Sequence, residues 1–137
     1  MMICTVGMIA MAELLAVSLR MQQLGRNSTS AARVAQDKVD ELNTVGFDSP
    51  QMSCDGSLTA DVADHNDDAV WADGARKGFR RRWVVSAAPD AAVVLTSGVV
   101  LATRQVTVRV FPENDDRRVT QQFELTTVVR GAGAACP

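Results

Sequence analysis

Apolar residues recur at steps of four, four and three along Ala31, Ala35, Val39 and Leu42, and Met8, Met11, Leu15 and Leu19 form a similar stripe upstream. That is the period of an amphipathic helix. From residue 33 on, the other face carries Arg33, Gln36, Asp37, Asp40 and Glu41. Proline is absent between Met8 and Val45, and Gly25 is the only glycine inside, so the spacing predicts one helix over 8–45. Gly46 is placed to cap it, and Pro50 to stop any continuation. Such a helix is about 57 Å long, more than a compact domain of this size needs, so one end is expected to project. Its weak point is Gly25-Arg26-Asn27-Ser28-Thr29-Ser30, a row of poor helix formers. Either Ser28 or Ser30 caps a second helix there, or the stretch is locally melted.

The period changes to two after residue 78. Phe79, Trp83 and Val85 share a parity, Val106, Val108 and Val110 alternate with Thr107 and Arg109, and Val119, Phe123, Leu125 and Val129 alternate with Thr120, Gln122, Glu124 and Thr126. These are half-buried antiparallel strands. Residues 93–102 are apolar and β-branched and add a strand or lengthen one. Pro112-Glu113-Asn114-Asp115-Asp116 reads as a hairpin turn. Arg104 stands where alternation calls for a buried residue, which points to a bulge or a strand start. Residues 50–75 show no sustained period and read as a long ordered loop with at most one short strand or turn. The chain is therefore expected to be α+β, a long N-terminal helix packed on a three- to four-stranded antiparallel sheet. Residues 1–27 form a projecting apolar helix half and residues 28–137 a globular head.

The start, MMICTVGMIAMAELLAVSLRM, matches neither of two membrane templates. Only Thr5 is polar before Glu13, and no Lys or Arg precedes Arg20. A spanning helix needs about 20 mainly apolar residues in a row. A secretory signal needs a basic start, which is missing. The chain has 137 residues, one domain by size, and a net charge of -2 that gives no reason to expect nucleic acid. The charges are segregated. No Lys or Arg lies between Lys38 and Arg76, six Asp sit from Asp55 to Asp73 inclusive, and Arg76, Lys77, Arg80, Arg81 and Arg82 follow. The simplest reading is an acidic loop neutralised by a basic strand.

Asp61, Asp64, Asp67 and Asp68, beside His65, Asn66 and Asp73, are the candidate metal ligands, for calcium alone, since calcium takes six to eight oxygens from such loops. The spacing is not that of an EF-hand, and a solvated acidic loop is the plainer reading. His65 is the only histidine and has no nucleophile partner in the sequence, so the chain is not read as an enzyme. Trp71 and Trp83 suit the core better than a binding surface. Gly131-Ala132-Gly133-Ala134-Ala135 reads as a flexible tail. Cys4, Cys54 and Cys136 fit no zinc spacing. In an oxidising compartment Cys54 and Cys136 could pair and tie the tail down; otherwise all three are free thiols.

Several stretches together resemble the type IV pilin-like proteins. "ARVAQDKVDELNTVGFDS", residues 32–49, is similar to the helix end of PilV-type minor pilins. "FRRRWVV" resembles their first sheet strand, and "VTVRVFP" and "FELTTVVR" their paired closing strands. "TVGMIAMAELL" resembles the middle of the pilin helix, and on that alignment the family's leader, processing glycine and assembly glutamate have no counterpart here. Setting "ELLAV" on the family's mature start fits less well, because Gly7 then lies six residues before Glu13, one more than the family spacing. The resemblance implies a non-catalytic minor pilin or pseudopilin of a type IV pilus or type II secretion pseudopilus. It implies a filament or membrane face of Met8, Met11, Leu15 and Leu19. It further implies other pilin subunits as partners, the inner membrane before assembly, and a periplasmic or surface-exposed head, with no cofactor beyond the candidate calcium. The alternative is a single-pass, membrane-anchored binding module outside the cytoplasm that uses the acidic loop.

Overall fold

A computed structural model describes residues 2–70, 74, 76–94, 100–113, 122–134 and 136–137. The element order is one α-helix, α1 (Met2–Thr44), a 3-10 turn (Pro50–Met52), then strands β1 (Asn66–Val70), β2 (Arg76–Val94), β3 (Val100–Pro112) and β4 (Phe123–Gly131). The class is α+β. The chain divides into two units, Met1–Ser30 and Ala31–Pro137.

α1 is continuous through the glycine-serine patch. Neither a second cap nor a melted stretch occurs. The hydroxyls of Ser28 and Thr29 each donate to the Gly25 carbonyl at 2.9 Å, so their polar groups are satisfied within the helix. At the other end Gly46 is not a left-handed cap, since it is not among the residues with positive φ. Instead the Thr44 hydroxyl and the Val45 amide both donate to the Glu41 carbonyl, at 2.7 and 3.1 Å.

In the second unit the strands form one four-stranded antiparallel sheet in the order β1-β2-β3-β4. The helical stripe Ala31, Ala35, Val39 and Leu42, joined by Val34, shares one core with Trp83, Val85, Val106, Val108, Val110 and Val129. Phe123 and Leu125 pack at its margin. Alternation along each strand places these residues on one face, and the helix stripe removes that face from water. The short strand in the acidic segment is β1. The turn residues 114–116, Val119 and Trp71 lie outside the described residues.

Arg104 departs from expectation. It is regularly paired, opposite Ala87 and Val129, and its side chain is buried. The irregularity falls on the facing strand, between Ala87 and Ala92, where Pro89 supplies no ladder donor. The tail is not loose either. An added side chain at Gly131 or Gly133 would meet the Phe47 ring at 2.6 or 2.7 Å, so both positions admit the ring only because they are glycine. Cys54 and Cys136 are bonded, with Cα atoms 5.4 Å apart and a sequence separation of 82.

Candidate functional site

Two surfaces carry the chemistry singled out in the sequence. In the first unit the described side chains of α1 from Met11 on are exposed. Met11, Leu15 and Leu19 expose 71, 64 and 61% of their surface. Met8's side chain lies outside the described residues. Leu14, Val17 and Met21 are exposed too. At 3.6 residues per turn these positions, with Leu24, occupy most of the circumference and leave a strip for Glu13, Arg20 and Gln23. The exposed apolar surface is thus broader than the single stripe that the steps of four and three describe. Among the described residues no helix is long and apolar enough to cross a membrane.

The second surface is the acidic segment. β1 pairs with β2 so that Asp67 faces Arg81 and Asp68 faces Arg80. The charge segregation along the chain therefore becomes cross-strand pairing in the sheet. Asp67 receives Nε and Nη2 of Arg81 at 2.6 and 2.7 Å, a two-pronged contact, and Nζ of Lys38 at 2.9 Å. Lys38 is fully buried, also donates to Glu41 at 2.9 Å, and sits 4.1 Å from the Trp83 ring centre. Two cations and two carboxylates thus balance one another over an aromatic face, joining α1, β1 and β2. Asp68 accepts from Arg80 at 3.2 Å, and Asp61 from Arg82 at 2.7 Å and Arg80 at 3.2 Å. Asp64 is exposed, with φ of 63°.

The four candidate calcium ligands are therefore divided: Asp61, Asp67 and Asp68 are engaged by Arg80, Arg81 and Arg82, and Asp64 is exposed. Among the described residues no three acidic, histidine or cysteine side chains converge as a metal donor set; Asp73 lies outside them. His65 is buried between the Ala63 and Ser53 carbonyls, each 3.1 Å from a ring nitrogen, and tilts against Trp83 at 5.9 Å. It fastens the loop. Trp83 is buried too, and its indole N–H donates to the Gln51 carbonyl at 2.9 Å. Lys38 was not singled out in the sequence, although it falls between Ala35 and Leu42 on the apolar stripe, which was the signal available.

The Asp61 contacts give a pH dependence. The hydrogen bond from Arg82 holds the Asp61 carboxyl below the usual carboxylate range, and Asn66 and the Arg82 and Arg80 charges act in the same direction against a desolvation that raises it. A carboxyl with a lowered folded pKa adds stability above its unfolded value, near 3.8, and loses it as pH falls through the folded value. Asp61→Asn should therefore melt slightly below wild type at pH 6, and the two melting curves should converge below the folded pKa of Asp61. A gap that persists at the acid end would remove the ion pair as its cause. The effect is small, as for any exposed pair.

No protein-family model, curated protein or solved structure matches this chain.

Proposed function

We propose that this chain is a non-catalytic minor pilin or pseudopilin subunit that assembles into a filament through its N-terminal helix. One observation carries the reading. The helix exposes a broad apolar surface from Met11 to Leu24, and the same helix supplies, from Ala31 on, the stripe that covers an antiparallel sheet. Apolar surface of this extent asks for a partner, because a free chain keeps little of it in water. Helices of other pilin-like subunits are that partner in this reading, with the inner membrane sheltering the surface before assembly. The quoted sequence stretches supply the family, and the α+β order agrees with it. The bonded Cys54–Cys136 pair favours a head outside the cytoplasm.

The test places a tagged full-length chain in cells that build such a filament and measures it in the sheared filament fraction. Wild type is expected there. The pair Leu15→Glu and Leu19→Glu should lower incorporation at least tenfold, since each leucine forfeits about 2 kcal/mol of burial. The Cys54–Cys136 bond should stay oxidised in that variant, which separates failed assembly from a misfolded head. Absence of wild type from the sheared fraction, or equal incorporation of the variant, would overturn the proposal.

A further inference from the structure

The two edges of the sheet are unlike each other. β1 is five residues long, carries paired aspartates, and breaks register between Asp68 and Val70. Short length, charge and a bulge are the means by which proteins blunt an edge. β4 is neither short nor bulged. Its nine residues, FELTTVVRG, pair with β3 in unbroken register from Gly131 to Phe123 and contain no proline. No described strand pairs with its other edge. Glu124, Thr126, Val128 and Arg130 alternate outward and are exposed, Val128 by 50%. Arg130 makes no ion pair among the described residues.

We propose that β4 is a pairing edge and that its occupant is β4 of a second copy of this chain, antiparallel, with the two-fold axis at Thr127. The charge pattern selects both occupant and register. In an antiparallel pair, directly opposed residues lie on the same face, so the core faces of both copies stay together only when opposed positions share parity. Among such registers, the one centred on Thr127 places Glu124 of each copy opposite Arg130 of the other. Axes at Leu125, Thr126, Val128 or Val129 oppose no unlike charges. The Thr127 axis also sets Thr126 against Val128. Glu124 already accepts from Arg109 on β3 at 2.6 Å, so the carboxylate is held on the outer face before a second copy arrives. The two four-stranded sheets join into one. This inference does not rest on the filament reading.

The experiment uses the full chain in detergent micelles, which cover the apolar helix, with sedimentation read across a concentration series. Wild type should show a reversible monomer–dimer equilibrium. Arg130→Glu should weaken it about tenfold, because two attractive pairs per dimer become repulsive. Glu124→Arg should do the same, and the two exchanges together should restore dimerisation to near wild type. The double exchange still lacks the Glu124–Arg109 contact, so its recovery reports the contact between copies. A monomer at every concentration, a dimer indifferent to Arg130→Glu, or a double exchange as weak as the singles would each overturn the proposal. Association through the helix gives the second of these. A second reading needs no charge change. In a Cys4→Ser background, Thr127→Cys stands opposite its own copy at a Cα separation of about 4.5–5.5 Å and should oxidise to a covalent dimer. Thr126→Cys, opposite Val128, should not. Equal cross-linking of both, or of neither, would remove the register.

Discussion

Arg104→Met should lower the stability of the protein by about 3 kcal/mol, a fall of about 10 °C in melting temperature for a chain of this size. The Arg104 guanidinium is buried, and among the described residues no carboxylate is its partner. One terminal nitrogen donates to the carbonyls of Phe47 and Met52 at 2.7 and 2.6 Å, and the other to that of Ala134 at 2.7 Å. The group lies 4.0 Å from the Phe47 ring centre. One side chain on β3 thus satisfies backbone from the helix exit, the 3-10 turn and the tail. Methionine fills much of the same volume and removes the burden of an unpaired buried charge, which moderates the loss. It leaves three carbonyls without donors, at about 1–3 kcal/mol each where water does not replace the guanidinium. Arg104→Lys should recover only part, because a single ammonium cannot reach three carbonyls arranged for a planar fork. Denaturant melts of the full chain decide the matter. A shift in midpoint at unchanged slope is the expected result, and a change below 0.5 kcal/mol would mean that water hydrates the three carbonyls at no cost.

Replacing both Cys54 and Cys136 by serine should cost about 4 kcal/mol. Joining residues 82 positions apart removes much of the freedom of the unfolded chain, by about 4.5 kcal/mol in the loop-closure model. The bond and Arg104 act on the same segment, since Ala134 and Cys136 lie two residues apart. Once the bond is gone the tail detaches more readily, and the Arg104–Ala134 contact is worth less. The triple variant should therefore lose less than the sum, by about 1 kcal/mol in a double-mutant cycle. Strict additivity would show that the two fasteners hold independent pieces. A reduced wild-type protein should melt with the serine variant, which checks that the effect belongs to the bond.

Most of the scaffold was legible because it follows from periodicity. The stripe from Ala31 to Leu42 and the parity of Trp83, Val85, Val106, Val108 and Val110 are consequences of helix and strand geometry, and burial follows from them. What periodicity left unexplained are the charged residues at positions where the pattern calls for apolar ones. Lys38, Arg81 and Arg104 all fall on buried faces, and each is tolerated because of partners distant in sequence: Asp67 for the first two, and the 47–52 and 134 carbonyls for the third. Periodicity contains no term for a partner that far away. The Gly25–Ser30 patch misleads for a different reason. Propensity is a weak prior, and a short run of poor formers does not break a helix of 43 residues. Of the candidate site, the neutralised acidic loop was readable from charge segregation, whereas the division of its aspartates required the register of β1 on β2.

The strand order has a consequence for the order in which the head forms. A sheet of sequential neighbours requires only hairpin closures, so its pairings bring together residues close in sequence. The fasteners at the helix exit are the opposite. They join residues 47–54 to residues 104–136, and nothing in the sheet forms them in advance. In a chain delivered from its N-terminus, β1, β2 and β3 can zip while Cys136 is still to come. The Arg104 bonds to Phe47 and Met52 can form with them, whereas the Arg104–Ala134 bond and the disulfide stay open until the last residues arrive. The tail therefore acts as the closing stitch of the head, and a chain interrupted a few residues early would carry a complete sheet with an open seam.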